Sequence, residues 1–208
     1  MEAMGYLAGG GESETYRLPD DDLFLVGTSE QSIGPMHRDE ILDAQTLPRR
    51  YLSFSTCFRR EAGSYGKDTK GILRVHQFDK LEMFSLTTSE ASDQEHAMLL
   101  ACAEKLWQGL GCAYRVVQLC SADLGYPSAR TYDIEAWLPG QHMYREMGSL
   151  STTTDYQSRA LNIRCKNKGK LEYVHMLNGT AFAAGRTIVA ILEQFQRARD
   201  EVGGPEHE

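Results

Sequence analysis

Two short stretches concentrate residue types that can do chemistry together. The first is Thr56-Cys57-Phe58-Arg59-Arg60-Glu61. The second is Arg74-Val75-His76-Gln77-Phe78-Asp79-Lys80-Leu81-Glu82-Met83-Phe84. Side chains alternate faces along a strand, so Arg59 and Glu61 are expected on one face, about 7 Å apart. By the same alternation Arg74, His76, Phe78, Lys80, Glu82 and Phe84 share a face of the second stretch. If the two stretches form a hairpin about the Ala62–Ile72 loop, one surface presents a guanidinium, carboxylates and an aromatic plate. That set suits a purine nucleotide together with an ammonium group. The loop carries Gly63, Gly66, Lys67, Lys70 and Gly71 and can close over a ligand. The same pattern also describes the solvated charged face of an ordinary hairpin, and His76 taken alone reads as a structural histidine.

Positioning these residues requires a sheet. Leu23 to Val26, Tyr51 to Glu61, Leu73 to Leu86, Tyr114 to Cys120, Tyr132 to Leu138, His142 to Gly148 and Tyr173 to Leu177 all read as strands. A helix is expected from near Thr87, where Thr87 and Glu90 have capping-box spacing, with Met98, Leu99, Cys102, Leu106 and Leu110 on its apolar face. A second helix is expected over about Thr187 to Arg199, its apolar face formed by Ile188, Ile191, Leu192 and Phe195. Short links between successive strands predict an α+β fold, an antiparallel sheet with helices on one side. Gly9-Gly10-Gly11 with Glu12-Ser13-Glu14 reads as a mobile loop. It lacks the Gly-Lys-Ser/Thr of a phosphate-binding loop. Arg197 to Glu208 reads as a frayed tail of a single domain spanning 1–208.

Composition narrows the class of function. The 208 residues are 41% hydrophobic and 25% charged, as in a soluble globular protein. Lys plus Arg number 22 against 29 Asp plus Glu, a net charge of −7. An acidic chain does not hold nucleic acid by bulk charge, so such a contact needs a local patch. The cluster Arg159, Arg164, Lys166, Lys168 and Lys170 is either that patch or a solvated turn. The start, Met1-Glu2-Ala3-Met4-Gly5, has no secretory pattern. No apolar run approaches the roughly 18 residues of a membrane span. Cys57, Cys102, Cys112, Cys120 and Cys165 form no Cys-x-x-Cys pair and read as reduced thiols of a cytoplasmic protein.

Phe-Arg-x-Glu, a Gly-rich loop, then Arg-x-His-Gln-Phe-Asp-Lys-x-Glu resembles motif 2 of class II aminoacyl-tRNA synthetases, in the wording of the seryl-tRNA synthetases. Thr28-Ser29-Glu30 resembles that family's Thr-x-Glu loop. Tyr132 to Gln141 and Tyr144-Arg145-Glu146 resemble its central strands, and Leu177-Asn178-Gly179-Thr180-Ala181-Phe182-Ala183-Ala184-Gly185-Arg186 its motif 3. The similarity runs in order from about Tyr6 to about Gln196. Without the rest, Thr28-Ser29-Glu30 would read as a helix N-cap with a first-turn Glu, and Gly185-Arg186 as a plain helix start.

The resemblance implies an antiparallel sheet flanked by helices. It also implies ATP-dependent activation of L-serine, followed by transfer to the terminal adenosine of tRNA(Ser). Carried over, Arg59 and Arg186 are the catalytic cations, on the α- and γ-phosphates. Glu61 meets the adenine amino group, Phe78 stacks on the purine and Val75 lines the pocket. Arg60, Met147 and Gly148 complete the ATP-binding set. Glu146 and Ser149 hold Mg²⁺ with the phosphates, and their spacing of three requires a bend near Gly148. Thr28, Glu30 and Glu82 face the serine ammonium, Thr180 with Asn178 nearby its hydroxyl, and Ser29 completes the serine-binding set.

Several features depart from the family. The coiled-coil tRNA-binding arm and motif 1, which builds the family's homodimer, are expected to be absent. Gly148, Leu150 and Thr152 stand in a stretch that usually reads Ser/Thr-Ser-Cys-Ser-Asn, and Ala181 where Gly is frequent. Alternatives at this point are a truncated ligase loading an amino acid onto a carrier protein, a non-catalytic nucleotide- or partner-binding paralogue, and a threonine- or proline-type synthetase.

Overall fold

A computed structural model of the chain describes residues 1–62 and 71–197. The Gly63, Gly66, Lys67 and Lys70 portion of the loop, and the tail beyond Arg197, lie outside the described residues. The strands are β1 (Arg17–Leu18), β2 (Leu23–Phe24), β3 (Ile41–Asp43), β4 (Arg49–Phe58), β5 (Gln77–Thr87), β6 (Tyr114–Gln118), β7 (Arg130–Leu138), β8 (Met143–Thr154), β9 (Arg164–Asn167), β10 (Lys170–Tyr173) and β11 (His175–Ala183). The α-helices are α1 (Gly11–Glu14), α2 (Glu30–Ile33), α3 (Ser92–Gly109), α4 (Tyr156–Leu161) and α5 (Ala184–Phe195).

The centre is a six-stranded sheet in the order β4-β5-β11-β8-β7-β6, antiparallel throughout. The expected α+β class therefore holds. On one face α3 and α5 bury Leu99, Ala103, Trp107 and Ala190 against Ile134, Ala136 and Leu138 of β7. The opposite face is not left to strands alone. The N-terminal segment, α2, α4 and a small sheet of order β10-β9-β3 cover it, with Met4, Ile33, Leu42 and Leu161 over Phe84, Leu86 and Met176. The β3–β9 pairing is parallel, which short-link reasoning does not anticipate.

One strand face links core and chemistry. Phe78, Lys80, Glu82, Phe84 and Leu86 alternate inward along β5. Its second half, Phe84 and Leu86, lies in the second core, while its first half, Phe78, Lys80 and Glu82, lines a cavity.

Several helix readings require correction. No capping box forms at Thr87, because β5 runs to Thr87, which pairs with His175 of β11. The helix begins at Ser92, and Thr88 Oγ1 accepts the Ala91 amide at 3.3 Å. The buried stripe of α3 is Leu99, Ala103 and Trp107, whereas Cys102 and Leu106 are exposed. On α5 the fully buried residue is Ala190, while Ile188 and Leu192 are exposed. In both helices an alanine, Ala103 or Ala190, is fully buried, while Met98, Leu110, Ile191 and Phe195 are partly buried against the same core. Gly11 to Glu14 is a helical turn rather than a loop.

Candidate active site

β4 ends at Phe58, earlier than expected, and Arg59 and Glu61 lie beyond it. Simple alternation therefore does not bring them together. The chain turns instead. The Arg59 amide bonds the His76 carbonyl at 3.0 Å, and Glu61 takes a left-handed φ of 52°. Likewise Arg74, Val75 and His76 precede β5, and His76 is exposed beside Tyr16. The turn still delivers Arg59 and Glu61 to one cavity. Arg59 Nε donates to the Gly27 carbonyl at 3.2 Å, and its guanidinium sits 5.3 Å from the Phe78 ring centroid. Glu61 is ion-paired with Arg74.

The cavity is about 160 Å³ and opens beside a wider one of about 580 Å³. Tyr6, Thr28, Arg59, Glu61, Arg74, Glu146 and Arg186 line both. Val75, Phe78, Met147, Gly148, Ser149, Glu30, Glu82, Asn178 and Thr180 line the inner one. Of the residues singled out from sequence, two are not brought there. Arg60 is exposed and turned to Tyr16, its guanidinium 5.5 Å from that ring. Ser29 is buried, with its hydroxyl unpartnered, and lines neither cavity. The Thr28–Glu30 turn enters α2, so its middle residue faces away from its neighbours' cavity.

At the inner end Glu82 is fully buried. Lys80 Nζ stands 2.7 Å from one of its oxygens. Thr180 Oγ1, opposite it on β11, donates to that same oxygen at 3.2 Å, and Asn178 Nδ2 donates to the other at 3.2 Å. Beside this group lies Glu30, also buried, bonded by the Tyr6 hydroxyl and by Gln157 Nε2 at 3.1 Å. Burial, and then the Glu82 charge, push the Glu30 carboxyl up. The hydrogen bonds from Tyr6 and Gln157 and the Lys80 charge pull it down.

At the mouth Arg186, in the first turn of α5, reaches the Glu146 carbonyl and carboxylate, each at 3.0 Å. The bend expected near Gly148 is present as a β-bulge. Ile134 pairs with Gly148 but Glu135 with Glu146, which leaves Met147 unpaired. The extra residue lets Glu146 and Ser149 share a side, with Ser149 Oγ 3.5 Å from Glu146 Oε1. Their oxygens, close to guanidiniums, are the donor type a hard divalent cation takes beside phosphates. Behind them Asp133 is buried opposite Ser149. Burial pushes its carboxyl up to about 6. The Ser149 hydrogen bond and Arg186 act against that, and Glu146 and Glu135 add to it.

Sequence reasoning assigned no role to Tyr6, Arg74, Lys80, Asp133 or Gln157. Alternation already placed Arg74 and Lys80 with Phe78 and Glu82. Tyr6 and Gln157 gave no signal, since only the tertiary fold brings them to Glu30.

The site thus joins a turn-borne arginine over a phenylalanine, a buried carboxylate cradled by two strands and an arginine opening the last helix. Residues 15–195 match the family model described as tRNA synthetase class II core domain (G, H, P, S and T). The chain belongs to this class II synthetase core family. It is 50% identical over 198 residues to a serine–tRNA ligase of Dictyoglomus thermophilum, covering 95% of this chain and 47% of that protein. It is 50% identical over 194 residues to the serine–tRNA ligase of Fervidobacterium nodosum, covering 93% and 46%. The crystal structure of seryl-tRNA synthetase from Pyrococcus horikoshii complexed with ATP superposes with a TM-score of 0.90 at 49% identity. It covers 93% of this chain and 44% of that one. The cytoplasmic serine–tRNA ligase of Naegleria fowleri in complex with AMP also gives 0.90, at 38% identity, covering 99% and 49%. This class II core thus spans a little under half the length of the relatives it matches.

Proposed function

We propose that this chain is the catalytic core of a serine–tRNA ligase, which forms seryl-adenylate from L-serine and ATP and passes the seryl group to the 3′-terminal adenosine of tRNA(Ser). The observation that carries the reading is the buried Glu82, bonded by Asn178, Thr180 and Lys80 at the floor of a cavity whose mouth holds Arg59, Arg74 and Arg186. A floor of hydrogen-bonding groups fits a small hydroxylated amino acid, and three guanidiniums fit a triphosphate.

The reaction needs no side-chain nucleophile. The serine carboxylate attacks the α-phosphorus in line and pyrophosphate leaves. Arg59 steadies the α-phosphate and Arg186 the γ-phosphate, in a mouth where the first turn of α5 adds its dipole. Glu61, restrained by Arg74, accepts from the adenine amino group, and Phe78 stacks on the base. Glu146 and Ser149 hold Mg²⁺, which when bound neutralises charge on the phosphates. Thr28 and Glu30 stand by the ammonium, with Asn178 and Thr180 toward the hydroxyl.

A homodimer in the cytoplasm goes with this reading. Leu52 and Phe54, 65% and 68% exposed on edge strand β4, support a partner surface there. No helix among the described residues is long and apolar enough to cross a membrane. Hydroxylamine trapping tests the central step. Chain, ATP, Mg²⁺ and serine should yield serine hydroxamate and AMP, and the absence of hydroxamate with serine would refute the reading.

A further inference from the structure

The two buried carboxylates of the inner cavity are not equivalent. Glu82 carries its own counter-charge, Lys80 Nζ at 2.7 Å, itself buried. Glu30 is 2% exposed and forms no ion pair among the described residues. Its direct partners are neutral donors, the hydroxyl of Tyr6 on one oxygen and the amide of Gln157 on the other. A buried carboxylate is costly unless a cation neutralises it, and removing it from water favours protonation. The neutral donors offset only part of that cost and leave the carboxyl above its ordinary range, so a cation brought beside it would be held as its direct partner.

The three residues come from separate parts of the fold. Tyr6 belongs to the N-terminal segment, Glu30 opens α2 and Gln157 lies in α4. Gln157 Nε2 also bonds the Met4 carbonyl at 3.2 Å, so one amide ties α4 to the segment that carries Tyr6. Tyr6 itself lines the cavity and can sense what enters it.

We propose that Tyr6 and Gln157 are positioning residues that hold Glu30 as an uncompensated carboxylate, the specific acceptor for the ammonium of the amino acid, while the Lys80-paired Glu82 orders Asn178 and Thr180 at the hydroxyl end. This rests on the serine-activation reading above. It divides the ammonium and hydroxyl functions between two carboxylates that the sequence does not distinguish.

The test is equilibrium binding of two probes to the intact chain. One is 5′-O-(N-seryl-sulfamoyl)adenosine; the other is the same compound with the α-ammonium replaced by hydrogen. Wild type should bind the first at least about 100-fold more tightly, since a desolvated charge pair is worth several kcal/mol when one partner is removed. Tyr6→Phe keeps the ring, so the fold is preserved. It should shrink that ratio about 10-fold through weaker binding of the ammonium probe alone, as one charge-assisted hydrogen bond is lost. Gln157→Leu should do the same, and Glu30→Gln should abolish the ratio. In pyrophosphate exchange Tyr6→Phe should raise KM for serine and leave kcat and KM for ATP near wild type. A ratio unchanged in Tyr6→Phe and Gln157→Leu but lost in Glu30→Gln would overturn the positioning role and keep Glu30 as acceptor. A ratio unchanged in Glu30→Gln would overturn both. Binding of neither probe by folded wild type would instead sink the serine reading on which the proposal rests.

Discussion

Thr180 lies directly over the backbone of Gly148. A Cβ added at position 148 would stand 2.8 Å from Thr180 Cβ and 3.0 Å from its Cγ2. The same Thr180 donates to Glu82 at 3.2 Å. The missing side chain at Gly148 is therefore the space into which Thr180 settles.

Gly148→Ala should push Thr180 off Glu82. Overpacking of this kind costs about 1–3 kcal/mol. KM for serine should rise about 10-fold while KM for ATP changes little, and Gly148→Ala combined with Thr180→Ser should recover part of the loss. Steady-state exchange kinetics check this, and an unchanged KM for serine would show that the contact is slack.

Arg59 is held by the Gly27 carbonyl and by the Phe78 ring, which fixes the pose from which the proposed phosphate contact would be made. Arg59→Ala should lower exchange kcat/KM by about 10²–10³-fold, the usual cost of losing one preorganised charge donor. Arg59→Lys should recover little, because an ammonium lacks the planar fork. Far-UV circular dichroism melts should show almost no loss of stability. A Tm collapse in parallel with activity would assign Arg59 a structural role instead.

Lys80 and Glu82 form a buried pair. Lys80→Met leaves Glu82 buried without its cation and should cost about 3–5 kcal/mol in urea denaturation. Replacing both, by Met and Gln, should cost less than Lys80→Met alone. Additive losses would mean that the two side chains are uncoupled.

Asp133 makes stability depend on pH. Its folded pKa of about 6 lies above the ordinary 3.8, mainly through burial. The native state therefore holds the proton more tightly, and this contribution is fully present below pH 3.8 and lost as pH rises through 6. Asp133→Asn should stabilise the chain at pH 8 by about 1–3 kcal/mol, from roughly 1.4 kcal/mol per pKa unit, and hardly at pH 4. Denaturation midpoints across that range measure it. A destabilised variant at pH 8 would contradict the sign.

The sheet and the Phe78, Lys80 and Glu82 wall of the cavity were legible in the sequence because period-two alternation survives in β5, whereas Thr28, Glu30, Glu146, Asn178, Thr180 and Arg186 were picked out only by the family resemblance. Alternation failed at Arg59 to Glu61, where the chain leaves the ladder and a left-handed residue re-aims Glu61. Arg60 came into the ATP-binding set from the family resemblance, whereas alternation alone puts it on the face opposite Arg59, turned as it is to Tyr16. The bulge at Met147 was inferable, since Glu146 and Ser149 cannot share a side of a flat strand. The helix faces were read partly right, with Leu99 buried and Met98, Leu110, Ile191 and Phe195 packed on the core, but the fully buried Ala103 and Ala190 barely register in a hydrophobic pattern. Tyr6 and Gln157 reach Glu30 from 24 and 127 positions away, and no local pattern encodes that meeting.

Pyrophosphate exchange comparing serine with alanine most directly tests whether the floor around Glu82 reads a hydroxyl. A site whose buried polar groups require that hydroxyl should favour serine in kcat/KM by at least about 10³-fold, toward the 10⁴–10⁵ seen where a hydroxyl is read directly. Comparable exchange with the two amino acids, or exchange with alanine alone, would contradict the account.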